Sequence, residues 1–107
     1  MKKGSIKVSL FYPASQEKPF DMDYYLNKHV PMVVGLLGDA ILGATIEKGI
    51  SGADSGSAAP YEAMGNIYFE SLDSFQNSFG ANANTILADI PNYTSAEPVV
   101  QISEVLV

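Results

Sequence analysis

Hydrophobic and polar positions alternate at the start of the chain: Ile6, Val8, Leu10 and Tyr12 fall on one side, Lys7, Ser9 and Phe11 on the other. That period of two predicts a half-buried strand over residues 6–12. A polar stretch at 13–19 follows, and Asp21 then stands where a helix N-cap belongs, ahead of a helical run from about Met22. Pro31 lacks the amide that would bond back one turn and biases Val30 away from helical geometry. The run is therefore expected to kink or restart there, to complete itself over 32–37 and to end at Gly38. Residues 41–50 predict a second strand, favoured by Thr45 and Ile46 and weakened by Gly43 and Gly49. The small residues of 51–60 read as a mobile hairpin loop, and 61–70 alternate again as a third strand. Ser71 is a second N-cap, with Leu72, Phe75 and Phe79 at helical spacing up to Gly80, read as the stop of a short helix. Residues 82–90 predict a further helical turn before Pro91 and Asn92 break it, and 98–107 a closing strand.

The order βαββαβ predicts an α+β, ferredoxin-like domain filling residues 1–107, one antiparallel four-stranded sheet with helices on one face. If the most apolar sides of the strands meet the helices, the other face carries Lys7, Ser9, Phe11, Met64, Tyr68, Gln101 and Ser103. A face of that mixed kind suits an interface, so a two-fold homodimer through the sheet is expected.

Composition narrows the function. With 6 Lys and Arg against 12 Asp and Glu, the chain carries −6 and offers no basic surface for nucleic acid or anionic lipid. It has no long apolar run for a membrane span, and the segment after its basic start is too short and too polar for a signal peptide, so a cytoplasmic location is expected. The absence of cysteine excludes disulfides, thiolate catalysis and cysteine metal sites. No zinc-ligand spacing and no glycine-rich phosphate loop is present, so neither a metal nor a nucleotide cofactor is expected.

The chemistry that remains gathers in F-D-M-D-Y-Y-L-N-K-H-V-P, residues 20–31, which hold the one histidine of the chain. Helical spacing of four places Asp21, Tyr25 and His29 along one side. An imidazole titrating near ~6.5 suits proton transfer, which makes His29 the candidate acid/base and Tyr25 its neighbour in a cavity. The residues leave another role open, in which His29 merely caps the chain where Pro31 interrupts the helix. Tyr24, Tyr68 and Tyr93 are candidates for contacting a ligand. Asp21 reads as the N-cap, Asp23 as a first-turn carboxylate favoured by the helix dipole, and Asp89 as part of the turn into the last strand. No acidic partner for His29 is visible in the sequence.

Three stretches taken together resemble the EthD family, named for ethyl tert-butyl ether degradation, within the dimeric α+β barrel superfamily. They are the 20–31 motif, Y-E-A-M-G-N-I-Y-F-E-S-L-D-S-F from residue 61, and A-D-I-P-N-Y-T from residue 88. The pattern D-x-D-Y-Y-x-x-x-H-x-P is the specific part. The matching positions are Asp21, Asp23, Tyr24, Tyr25, His29 and Pro31, with Asp89, Pro91 and Thr94 as secondary matches. The resemblance implies a protomer that dimerises by sheet packing, with a small pocket between sheet and helices. It also implies kinship with cofactor-free monooxygenases, polyketide cyclases, dehydratases and muconolactone isomerase-like enzymes. The expectation is thus a small homodimeric enzyme of catabolic or secondary metabolism acting on a hydrophobic or aromatic small molecule. Its chemistry would be either cofactor-independent oxidation, as an oxidoreductase, or proton transfer through His29. The alternative is a non-catalytic small-molecule-binding or accessory protein of a degradation pathway.

Overall fold

The computed structural model describes residues 2–14 and 17–107, so the polar 13–19 stretch is described apart from residues 15 and 16. Its strands are β1 (Ile6–Pro13), β2 (Gly43–Lys48), β3 (Tyr61–Phe69) and β4 (Val99–Glu104). They form one antiparallel sheet in the order β2-β3-β1-β4, the ferredoxin-like arrangement. Two helices cross one face, α1 over residues 22–37 and α2 over residues 72–89. β2 and β4 are shorter than their hydrophobic patterns suggest. Between β2 and β3, residues 52–57 close on themselves through Gly52 N–H to Ser57 O and Ser57 N–H to Asp54 O.

The alternation in β1 and β3 becomes two chemically different faces. Val8, Tyr12, Ala63 and Phe69 are sealed beneath the helices, packed with Val33 and Leu37 of α1 and Phe79 and Ile86 of α2. On the opposite face Lys7 stands across from Tyr68, Ser9 from Asn66 and Phe11 from Met64. The helices leave β4 uncovered: Val100 and Ile102 lie opposite Leu10 and Val8 yet are 45% and 46% exposed.

Both helices depart from the expected shape. Asp21 caps α1, its carboxylate accepting the Tyr24 N–H at 3.0 Å. The irregularity attributed to Pro31 lies one turn earlier, as a π-helical turn over Tyr25–His29 closed by the Val30 N–H on the Tyr25 carbonyl. Pro31 then opens the segment Val30–Leu37, where a missing donor costs least, so the wide turn absorbs the broken register without ending the helix. In α2, Gly80 is not a stop. It keeps helical angles, φ −59° and ψ −40°, and the chain runs on to Asp89 through a second π-turn, Gln76–Gly80. Carbonyls that such a turn leaves short of partners are taken by side chains: the Ser78 hydroxyl donates to Ser74 O at 2.6 Å and the Asn82 amide to Ser78 O at 2.8 Å.

Candidate functional site

α1 and the end of α2 are tied together before any site residue is considered. The Asp21 N–H donates to the Tyr93 carbonyl at 2.8 Å, and the Lys18 ammonium donates to the Pro91 carbonyl at 2.7 Å. A 3₁₀ turn over Ile90–Asn92 carries the chain from α2 to Tyr93, which is fully buried. Tyr12, Phe20, Tyr25 and Tyr93 then pack as one aromatic cluster, with Phe20 and Tyr25 ring centroids 5.1 Å apart and Tyr25 and Tyr93 5.0 Å apart. Such edge-on and tilted contacts fix ring orientation beyond what burial alone does.

His29 projects from the π-turn into this cluster. Its ring stacks on Tyr25 at 5.7 Å and lies 4.7 Å from Tyr93, and the residue as a whole is buried. Nδ1 meets Asp89 Oδ2 at 2.9 Å across 60 residues of sequence. The same carboxylate accepts two more hydrogen bonds on Oδ1, from the Tyr24 hydroxyl at 2.7 Å and the Asn92 amide at 2.9 Å. Asp89 is therefore the acidic partner that the sequence did not reveal, and its part is larger than that of a turn residue.

The electrostatics follow from this arrangement. Burial lowers the His29 pKa from 6.5, outweighing the Asp89 hydrogen bond and charge that raise it. Burial pushes the Asp89 carboxyl up, but hydrogen bonds from Asn92, His29 and Tyr24 together hold it below the usual carboxylate range. At neutral pH the pair is thus a neutral imidazole donating Nδ1–H to a carboxylate. That tautomer leaves the Nε2 lone pair as a base. Tyr24, hydrogen-bonded to the carboxylate, is raised and keeps its proton. Burial raises Tyr25 and Tyr93 as well, and the Tyr12 and Tyr93 hydroxyls lie 2.9 Å apart.

A cavity of about 40 Å³ lies between α1 and the sheet. His29, Tyr25 and Tyr12 form its polar end. Val30, Val33 and Val34 of α1 face Ile46, Gly65 and Ile67 of the sheet around the rest. Gly65 is the close approach: a Cβ there would lie 2.8 Å from the Tyr25 hydroxyl oxygen. An open groove of about 690 Å³ beside β4, bounded by Leu87, Ile90, Pro91 and Val100, holds neither His29 nor Tyr25. Among the described residues, no three His, Cys, Asp or Glu side chains are grouped to hold a metal, and no helix is long and apolar enough to cross a membrane.

The residues singled out from the sequence are therefore distributed unevenly. His29 and Tyr25 line the cavity; Tyr93 backs the imidazole, and Tyr24 and Asp89 hold its far side. Tyr68 stands on the opposite face of the sheet, with the Lys7 ammonium 6.0 Å from its ring, because its register is one residue out of phase with the inward Ile67 and Phe69. Asp21 caps α1, Asp23 lies exposed in its first turn, and Pro31 follows the π-turn. Gly65, Asn92 and Tyr12 were not foreseen as site residues; the close spacing of Asp89 and Asn92 to Tyr93 was the signal available for one of them.

A family model described as the EthD domain matches residues 15–97. The crystal structure of an EthD-like protein from Ralstonia eutropha JMP134 is similar at 40% sequence identity and a TM-score of 0.89, covering 99% of this chain and 96% of that one. An ethyl tert-butyl ether degradation (EthD) family protein from Bacillus halodurans C-125 shares the fold at 15% identity and a TM-score of 0.66, covering 94% of this chain and 97% of that one. No curated protein matches the sequence.

Proposed function

The chain belongs to the EthD family, and from that premise we propose that it is a proton-transfer enzyme of catabolic or secondary metabolism, acting on a hydrophobic small molecule with His29 as acid/base. The observation that carries this reading is the carboxylate on the far side of the ring. Asp89 holds Nδ1 at 2.9 Å while the ring borders an apolar cavity. A base oriented by a third group is the recurring arrangement for taking a proton and returning it. Of the two chemistries the sequence left open, this geometry favours proton transfer over oxidation. His29 takes the proton at Nε2, Asp89 stabilises the imidazolium that results, and Tyr25 fixes the ring plane by stacking.

The same reading makes the protein a homodimer through the outer sheet face. Support comes from half-buried Phe11, Met64 and Tyr68 surrounding a satisfied polar centre, where the Ser9 hydroxyl donates to Asn66 at 3.2 Å and Asn66 donates to Thr45 at 3.1 Å.

The test is deuterium incorporation from heavy water into the ring carbons next to the hydroxyl of phenols, followed by proton NMR. A positioned base contributes about 10²- to 10⁴-fold, so exchange should fall by at least about a hundredfold in His29→Gln. Equal exchange with both proteins would remove the catalytic reading, and saturable binding without exchange would make the protein a carrier.

A further inference from the structure

We infer that the cavity against His29 selects an uncharged molecule that enters with a hydroxyl group foremost, an alcohol or a phenol, and that Gly65 sets how deep this head can go. The inference rests on His29 being the ligand-facing base and adds what it faces.

Charge is the first constraint. None of the described residues around the cavity is Lys, Arg, Asp or Glu. An ion placed there would lose its water without gaining a partner, which is costly for any buried charge. A carboxylate ligand would also approach an imidazole whose far side already carries the Asp89 charge. Lys28, next to His29 in sequence, is exposed and does not line the cavity.

Hydrogen-bond direction is the second. The Tyr12 hydroxyl is engaged with Tyr93, the Tyr25 hydroxyl donates to Tyr12, and Nδ1 of His29 is held by Asp89. Asp89 is not part of the cavity wall although His29 is, so Nε2 is the ring nitrogen left on the cavity side. With its proton on Nδ1, the neutral ring offers a lone pair there. A lone pair is satisfied by a donor: a hydroxyl fits, whereas a ketone or ether oxygen would set acceptor against acceptor.

Size is the third. A volume of about 40 Å³ holds a head group and not a whole ring system. Val34, 48% exposed, and the exposed Ala44 mark where the remainder of the molecule leaves. At the opposite end Gly65 has only hydrogen where any other residue has Cβ. An alanine would place that carbon 2.8 Å from the Tyr25 oxygen and 3.7 Å from Ile46 Cδ1, too close for the Tyr25 hydroxyl to stay in place, so the methyl and the displaced hydroxyl together take up room at this end of the cavity.

Because the chain has a single histidine, long-range ¹H–¹⁵N NMR of its imidazole reads the site without assignment ambiguity. Titrations use phenol, cyclohexanol, cyclohexanone and benzoate on the full-length protein. Phenol and cyclohexanol should shift Nε2 saturably while leaving Nδ1 in place, with cyclohexanone and benzoate at least tenfold weaker. Gly65→Ala should weaken phenol by at least tenfold with the Nδ1 signal unchanged. If that variant does not fold, Ile46→Ala serves from the adjoining wall, and should improve 2-methylphenol relative to phenol by about tenfold, the scale of one added carbon in an apolar pocket. Benzoate or cyclohexanone binding as tightly as phenol would overturn the inference while leaving His29 as a base. Tight phenol binding with no deuterium exchange would instead overturn the proposed function and uphold the selectivity. No Nε2 shift with any probe would overturn both.

Discussion

Asp89→Ala isolates the contact on which the site depends. In the wild type, the carboxylate takes the His29 Nδ1–H at 2.9 Å, and the imidazole side chain is 4% exposed, so water cannot readily replace the lost acceptor. A buried donor stranded in this way costs about 1–3 kcal/mol. The Tyr24 and Asn92 donors lie nearer solvent and can turn to water, adding little. A total near ~2 kcal/mol would lower the melting temperature of a domain of this size by roughly 8 °C, at about 4 °C per kcal/mol. The electrostatic consequence has a definite sign. Burial already holds the His29 pKa below 6.5, and the two influences opposing burial both come from Asp89. Removing the carboxylate therefore lowers the His29 pKa further, and it frees the proton to move from Nδ1 to Nε2, converting the base on the cavity side into a donor. Calorimetry gives the first quantity, and ¹⁵N NMR of the lone histidine across pH gives the second and third. A His29 pKa that rises, or an Nδ1 that stays protonated with the melting temperature unchanged, would refute the argument that Asp89 sets the state of the ring.

The remaining predictions concern pH, a cap and the outer face. Because the folded His29 pKa lies below its ordinary 6.5, the unfolded chain binds that proton first, so stability should fall as pH drops from 6.5 toward the folded value. Asp89, also lowered in the fold, contributes stability above its ordinary 3.8 that is lost as pH falls through its folded value. Urea midpoints from pH 8 to pH 3 should show both declines; a midpoint flat between pH 7 and pH 5 counts against the first, and His29→Gln should abolish it. Asp21→Ala removes the 3.0 Å cap on Tyr24 N–H and should cost about 1 kcal/mol, read by chemical denaturation, with Asp21→Asn close to neutral. Phe11→Lys on the outer face should convert a dimer to a monomer in sedimentation analysis with the His29 NMR signals unchanged; a wild type that sediments as a monomer would remove the dimer from the reading.

What the sequence disclosed was whatever is local. Alternation identified β1 and β3 because a side chain in a strand has two directions only, and a register slip would invert a whole face. Asp21 and Ser71 were legible as caps because capping is settled within four residues: each accepts the amide three positions on, at 3.0 Å and 3.1 Å. The two π-turns were not legible, since a one-residue change of helical register leaves the apolar spacing nearly intact. Pro31 consequently reads as a kink or restart, whereas the irregularity is a wide turn just before it, and Gly80 reads as a stop, whereas the helix widens there and continues.

The Asp89 partnership was hidden for a different reason. Helical spacing shows that Tyr25 and His29 share a side of α1, but it says nothing about which turn of α2 that side meets. The answer depends on the Asp21 amide reaching the Tyr93 carbonyl and on Tyr93 filling the space beneath the imidazole at 4.7 Å. The residues that hold the base were thus spread over two conspicuous stretches, and only their packing joins them. Asp21 acquires a second meaning from this. Its side chain starts the helix that carries His29, and its main chain ties that helix to the turn that follows Asp89, so one residue's two hydrogen bonds set both members of the pair in place. A cap substitution that preserves the backbone bond should therefore lower stability while leaving the His29–Asp89 contact, and the Nδ1 proton, where they are.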